Sequence, residues 1–237
     1  GFTLNDLVSF NIKHNEENGE NNRDGSDDNL SYNHGFEGHS VNPKIEHLRE
    51  KKIRSFFIYL MLSQGVPMML FGDEVRRTQN GNNNAYCQNN ETGWMDWSLV
   101  EKNAGLFRFV KILIALRKNN PVFRRKEFFG ENYMSAQEIN WYDINAKTPD
   151  WEKQNRFLAF KLSDKNAQTD FYVATSMEIY DLTITLPALP GKKWYRVADT
   201  DFESPKDILE SGKEELLPEQ RRYVLVSGSS VILMSKA

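Results

Sequence analysis

The stretch from Lys44 to Glu74 limits most sharply what this chain can fold into. Ile45, Leu48, Ile53, Phe56, Phe57, Leu60 and Met61 recur mostly at threes and fours, with Arg49, Glu50, Lys51 and Lys52 between them. That spacing predicts a helix over 44–63. Gly65 fits the left-handed position after a helix end. Val66-Pro67-Met68-Met69-Leu70-Phe71 follows as an unbroken apolar run, its proline near the start, where a strand tolerates one. Such a run predicts a strand buried on both faces, the habit of parallel sheets covered by helices. It ends in Gly72-Asp73-Glu74. Helix, buried strand and acidic C-terminal end are the grammar of a (β/α) barrel. The run from Phe56 to Phe71 falls short of the roughly 20 residues a membrane helix needs, and Ser63, Gln64, Gly65 and Pro67 interrupt it.

A second helix is expected from about Ala104 to Lys118. Leu106, Phe109, Val110, Leu113, Ile114 and Leu116 form its buried stripe, Arg117 and Lys118 suit the negative end of its dipole, and Asn119-Asn120-Pro121 stops it. Beyond Val122 the helical period disappears. Residues 156–162, 170–176, 182–186, 193–198, 222–226 and 230–235 read as short strands between turn-rich segments, the pattern of an antiparallel sandwich. The expected fold is therefore α+β, with residues 1–124 as the last helices and strand eight of a (β/α)8 barrel and 125–237 as an antiparallel β-sandwich.

Residues 1–40 carry eight acids against Lys13 and Arg23, so this segment is strongly negative in a chain whose net charge is −3. Asn and Gly punctuate it, and only Asp6 to Ile12 has spacing for a short helix. Two readings stand: a solvated acidic loop, or a long functional loop, because loops of this length inside compact domains are uncommon otherwise. The overall charge argues against a nucleic-acid partner. Cys87, the single cysteine, excludes an internal disulfide. The opening Gly-Phe-Thr-Leu, without initiator Met or charged n-region, is expected of a segment cut from something longer.

Several blocks resemble the bacterial isoamylase-type glycogen debranching enzymes of the α-amylase family. They are Gly1 to Phe10, Glu20 to Asn29, Ser63 to Glu74, Arg77 to Tyr86, and Leu113 to Arg117 with Pro121 to Arg124. Trp141, Trp151 and Trp194 with Asp199-Thr200 resemble the family's C-terminal sandwich. The resemblance implies a parent enzyme hydrolysing α-1,6 branch linkages in glycogen or a similar branched α-glucan, in the cytoplasm, without cofactor. It also implies that the catalytic His-Asp pair lies immediately before Gly1, and that the nucleophile and the acid/base carboxyl lie earlier still. No catalytic residue is thus expected in this chain, and the fragment alone is expected to be inactive. The competing expectation is a non-catalytic glucan-binding or structural module.

Retaining glycoside hydrolysis needs two carboxyl groups about 5–5.5 Å apart. Asp73 and Glu74, adjacent on an expected strand, would point to opposite faces and make a poor pair. One of them lining the sugar cleft, or serving as a loop-organising acid, are the two open readings. The loop from Arg77 to Tyr86 is the better binding candidate: Arg77, Asn82, Asn83 and Asn84 offer paired donors and acceptors to sugar hydroxyls, and Tyr86 a face for a pyranose ring. Turn formation explains the Asn and Gly equally well. Arg23 and Asp24 complete the substrate-binding candidates. Asn22 to Asp24 with Asp27-Asp28 does not match a calcium loop, and His14, His34, His39 and His47 lack zinc spacing, so no metal is expected. Trp141, Trp151 and Trp194 are expected mostly in the core, with a surface glucan platform as the alternative. Neither a membrane nor a nucleic acid is expected as partner. Apolar surface left by an incomplete barrel is expected to be covered by self-association.

Overall fold

The computed structural model describes residues 1–126, 128, 137–153, 155–164 and 168–237. The residues just past the expected 124/125 boundary, 127 and 129–136, lie outside the described residues. The chain divides into two compact units, Gly1–Phe56 with Met68–Val110, and Phe57–Pro67 with Lys111–Ala237.

The second unit is built on an antiparallel sheet of six strands in the order β1-β2-β3-β8-β5-β6, with a two-stranded sheet β4-β7. The strands are β1 (Gln137–Tyr142), β2 (Phe157–Asp164), β3 (Thr169–Ser176), β4 (Leu182–Thr185), β5 (Lys193–Asp199), β6 (Glu215–Leu216), β7 (Arg222–Leu225) and β8 (Ser230–Lys236). Six match the expected strands; β1 and the two-residue β6 are additions. Between the sheets lie Phe157, Ala159, Tyr172, Ala174, Ile184, Trp194, Leu225 and Leu233, all buried. Trp194 is 2% exposed, and its indole Nε1 donates to the Pro187 carbonyl at 3.0 Å. A buried indole N–H needs such an acceptor. β3 is buried on both faces because helical segments of the same unit cover its other side. There Phe123 meets Phe171 at 4.8 Å between ring centroids, and the Tyr59 hydroxyl bonds Thr175.

The tryptophan expectation needs correction: only Trp194 of the three is core. Trp141 is 37% exposed and Trp151 63%. Trp141 sits on edge strand β1, opposite Phe160, and an edge strand leaves its outer neighbours open.

The long helices fall where expected, α2 at Pro43–Leu62 and α4 at Ala104–Asn119. Two four-residue helices, α1 (Leu4–Leu7) and α3 (Leu99–Lys102), complete the α-helices among the described residues. The buried face of α2 differs from the apolar stripe, however. Leu48 and Phe56 are each 37% exposed, whereas Arg49 and Lys51 are buried. Arg49 can be buried because loop carbonyls accept from both of its terminal nitrogens. Its Nη1 donates to Gly38 O at 2.7 Å, and its Nη2 to Asn33 O at 2.8 Å and Phe36 O at 2.5 Å. Arg117 likewise does more than favour its own dipole. It donates to the carbonyls of Met61, Ser63 and Gly65, at and beyond the end of α2, groups a helix end cannot satisfy itself.

The expected strand at 66–71 is absent. These residues join no ladder among the described residues, and Met68, Leu70 and Phe71 are exposed. A parallel strand exists through its hydrogen-bonded neighbours; an apolar run without them stays an extended segment. Gly65 is left-handed as expected, with φ of 106°, in the bend that follows the end of α2 at Leu62. Among the described residues no helix is long and apolar enough to cross a membrane.

Candidate functional site

The candidate residues fall in the first unit, where residues 1–37 and 72–93 are laced together by side-chain amides and carboxylates. Asp73 and Glu74 sit in a single turn of 3-10 helix, Asp73–Val75, instead of on a strand. The turn is entered at Gly72 (φ 93°), where a Cβ would meet the Arg77 side chain at 2.7 Å. Asp73 Oδ1 accepts from the Leu4 N–H at 2.9 Å, and Glu74 Oε2 from the Gly72 N–H at 3.0 Å. Each carboxylate thus organises backbone. Burial, with Glu74 and Asp6 nearby, lifts the Asp73 carboxyl to about 6. Arg77 Nη2 donates to Gly93 O at 3.0 Å.

Asn82 and Asn83 are buried, and their side chains are spent on the loop opposite. Asn82 Nδ2 donates to Asn18 Oδ1 at 2.8 Å. Asn83 and Asn15 exchange bonds: Asn15 Nδ2 donates to Asn83 Oδ1 at 2.9 Å, and Asn83 N–H to Asn15 Oδ1 at 3.0 Å. Asn83 Nδ2 also reaches Ser26 O and Asn29 Oδ1. Asn84 Nδ2 donates to Asp24 Oδ2 at 3.0 Å, beside a shorter bond from Asn18 Nδ2 at 2.7 Å. The Asn18 amide, helped by Asn84, holds the Asp24 carboxyl below the usual range. Gly25 must be glycine here, since at φ 72° its Cβ would stand 2.2 Å from Asn83 Oδ1.

The structure therefore draws Asp24, Asn82, Asn83 and Asn84 into one network but spends their side chains on it, Asn84 on Asp24, Asn82 on Asn18, and Asn83 on Asn15 and Asn29. Arg23 lies apart on an exposed turn, its Nε donating to Glu20 O. Tyr86 is 74% exposed with its ring free to stack. The acidic loop is neither purely solvated nor structureless: Asn15 is fully buried, and Lys13, 5% exposed, pairs with Asp27 at 2.9 Å.

The residue that sequence reasoning missed is Asp6. It is fully buried on α1, and its carboxylate accepts from Thr78 Oγ1, from the Gln79 N–H at 2.8 Å and from the Gly81 N–H at 3.4 Å. Asp6 pins the start of the Arg77–Tyr86 loop to α1. An acid inside an apolar short-helix pattern was the available signal. Among the described residues, no group of three His, Cys, Asp or Glu side chains is placed to hold a metal ion.

This two-layer antiparallel domain, preceded by helices and a carboxamide-rich loop pair, has known counterparts. Residues 140–233 match the family model described as the C-terminal domain of isoamylases 1–3. Residues 140–233 are thus similar to an isoamylase C-terminal domain, and the chain's relatives include an isoamylase matched along its whole length and a glycogen-operon protein matched over part of it. It is 56% identical over 150 residues to the glycogen operon protein GlgX homolog of Mycobacterium tuberculosis, covering 63% of this chain and 20% of that protein. It is 39% identical over 239 residues to the chloroplastic isoamylase 3 of Oryza sativa subsp. japonica, covering 100% of this chain and 29% of the relative. The chain thus spans between a fifth and three tenths of these curated relatives. A pullulanase from Anoxybacillus sp. LM18-11, solved with maltotetraose, shares the fold at a TM-score of 0.59 and 19% identity, covering 96% of this chain and 27% of the pullulanase.

Proposed function

We propose that this chain is the C-terminal part of a cytoplasmic glycogen debranching enzyme that hydrolyses α-1,6-glucosidic branch linkages in glycogen-like glucans. In this reading residues 1–124 are the last part of a (β/α)8 catalytic barrel and residues 125–237 its C-terminal β-sandwich. The observation that carries it is the 39% identity to an isoamylase along the whole chain. The reaction would be a double displacement through an oxocarbenium-like transition state, requiring a nucleophilic carboxylate and a proton donor. Asp73 and Glu74 are each committed to a backbone amide, which supports assigning the catalytic carboxylates to segments preceding Gly1. The chain by itself is then not a hydrolase.

For the substrate contacts, the exposed ring of Tyr86 supports a stacking role, with Arg77, Asp73 and Glu74 shaping the turn beneath the same loop and Arg23 at its margin. Asp24, Asn82, Asn83 and Asn84 serve as the scaffold that presents this ring. Titration of the 237-residue chain with maltoheptaose, alongside a reducing-sugar assay on glycogen, tests both halves. Binding weakened up to about tenfold by Tyr86→Ala is expected, since an aromatic stacking contact contributes about 0.5–1.5 kcal/mol. Branch-specific release of oligosaccharide by this chain would overturn the assignment of the catalytic groups.

A second reading, a glucan-binding module carried by the sandwich, is favoured by one observation. Trp151 is exposed and stands edge-on to Trp141, with centroids 5.7 Å apart at 80°. Affinity lost with Trp151→Ala but kept in Tyr86→Ala would select it. The exposed Met68, Leu70 and Phe71 support self-association of this chain; a monomer at all concentrations in sedimentation would count against that.

A further inference from the structure

In the first unit, α1, the start of α2, the turn at Arg76 and α3 enclose a cavity of about 260 Å³ that none of the glucan-contact candidates lines. We propose that this cavity binds a small sugar phosphate, one hexose ring carrying one phosphate group. Its size sits below the roughly 300–1,000 Å³ of sites for drug-sized ligands, which favours a single small ring over a nucleotide or an oligosaccharide.

The walls are built and rigid. Arg49 is 1% exposed and held by loop carbonyls and by Glu46 at 3.0 Å; its buried Nε has no partner among the described residues. Arg76 is fixed in the left-handed region (φ 62°), with Nε donating to Asn5 Oδ1 at 3.0 Å and Nη2 to Glu46 Oε2 at 2.8 Å. Two guanidiniums thus share one lining carboxylate. Even with Glu50, which meets Arg76 Nη1 at 3.4 Å, Lys102 at the rim is left over. Its ammonium makes no hydrogen bond or ion pair among the described residues, and its electrostatic neighbour is the exposed Asp96.

That unpaired cation, on a cavity also lined by His39, selects an anion. The remainder of the lining selects what the anion is attached to. Asn5, Ser9 and Asn80 offer donors and acceptors to hydroxyls, and the Phe10 ring supplies an apolar floor for ring carbons. A bare phosphate would leave these groups unused, and a neutral sugar would leave Lys102 unpaired.

The test is isothermal titration of the full chain with glucose 6-phosphate, glucose 1-phosphate, inorganic phosphate and glucose. Lys102→Ala and Lys102→Glu would be titrated in parallel; both alter an exposed rim residue. At least one hexose phosphate is expected to bind tenfold or more tightly than inorganic phosphate or glucose. Lys102→Ala should weaken it about tenfold, Lys102→Glu abolish it, and added salt weaken it further, while maltoheptaose affinity stays unchanged in both variants. Equal affinity for glucose and its phosphates, tightest binding of inorganic phosphate, or hexose-phosphate binding indifferent to both variants would each overturn the proposal. So would the absence of any hexose-phosphate binding.

Discussion

Replacing Asp6 by alanine removes the acceptor group that, among the described residues, holds the Arg77–Tyr86 loop against α1. The carboxylate is fully buried and takes hydrogen bonds from Thr78 Oγ1 and from the Gln79 and Gly81 amides. The Thr78 hydroxyl can rotate to another acceptor, but the two backbone N–H groups cannot. Each stranded donor costs about 1–3 kcal/mol. Part of that is offset because the buried carboxylate was itself costly: burial raises its pKa despite the donors around it. The net expectation is a loss of about 2–4 kcal/mol from the first unit. Asp6→Asn keeps one carbonyl oxygen for the two amides and should cost about 1 kcal/mol. Urea unfolding measures the total. Amide exchange at Gln79 and Gly81 locates it, and both amides should exchange faster in the alanine variant. A loss below about 0.5 kcal/mol, the range of an ordinary surface substitution, with unchanged exchange at both amides, would refute the pinning role. The pH dependence supplies a second check. With its folded pKa raised above 3.8, Asp6 retains a proton that the unfolded chain has lost. Its contribution to stability therefore falls as pH rises through that window, and Asp6→Asn should flatten the slope.

Asp73, lifted to about 6 by burial, should behave the same way, with stability declining between about pH 4 and 6. Asp73→Asn would remove that decline in urea midpoints measured across the range, and a slope identical to the parent's would sink the assignment. In the sandwich, Trp194→Ala should cost about 3–5 kcal/mol and Trp194→Phe less, through the stranded Pro187 carbonyl; guanidinium unfolding reads both. Arg117→Met leaves the Met61, Ser63 and Gly65 carbonyls without their donor and should cost about 2–4 kcal/mol. A thermal midpoint unchanged in that variant would show that the α2 end needs no cap.

The distribution of apolar residues by itself determined both long helices and six of the strands, because a 3.6 or a 2.0 period is a property of neighbours along the chain. The Gly65 turn was legible for the same reason, since it concerns one residue's backbone. The first block and the Arg77–Tyr86 block marked the relationship to debranching proteins before any geometry was known. What the sequence left undecided depends on groups far apart in the chain. The run at 66–71 has the composition of a buried parallel strand, yet strand identity belongs to a ladder, and none forms there. β6 is two residues long and exists only through Tyr195 and Arg196 of β5. Asn82 and Asn83 have the donors and acceptors a sugar would need, and tertiary structure gives those same groups to Asn18 and Asn15, 64 and 68 positions away. An amide side chain carries no record in the sequence of which partner it will meet. Only the folded chain, by burying Asn15 and Asp6 where water cannot compete, turned a polar loop into a cross-linked scaffold and left Tyr86 as its exposed face.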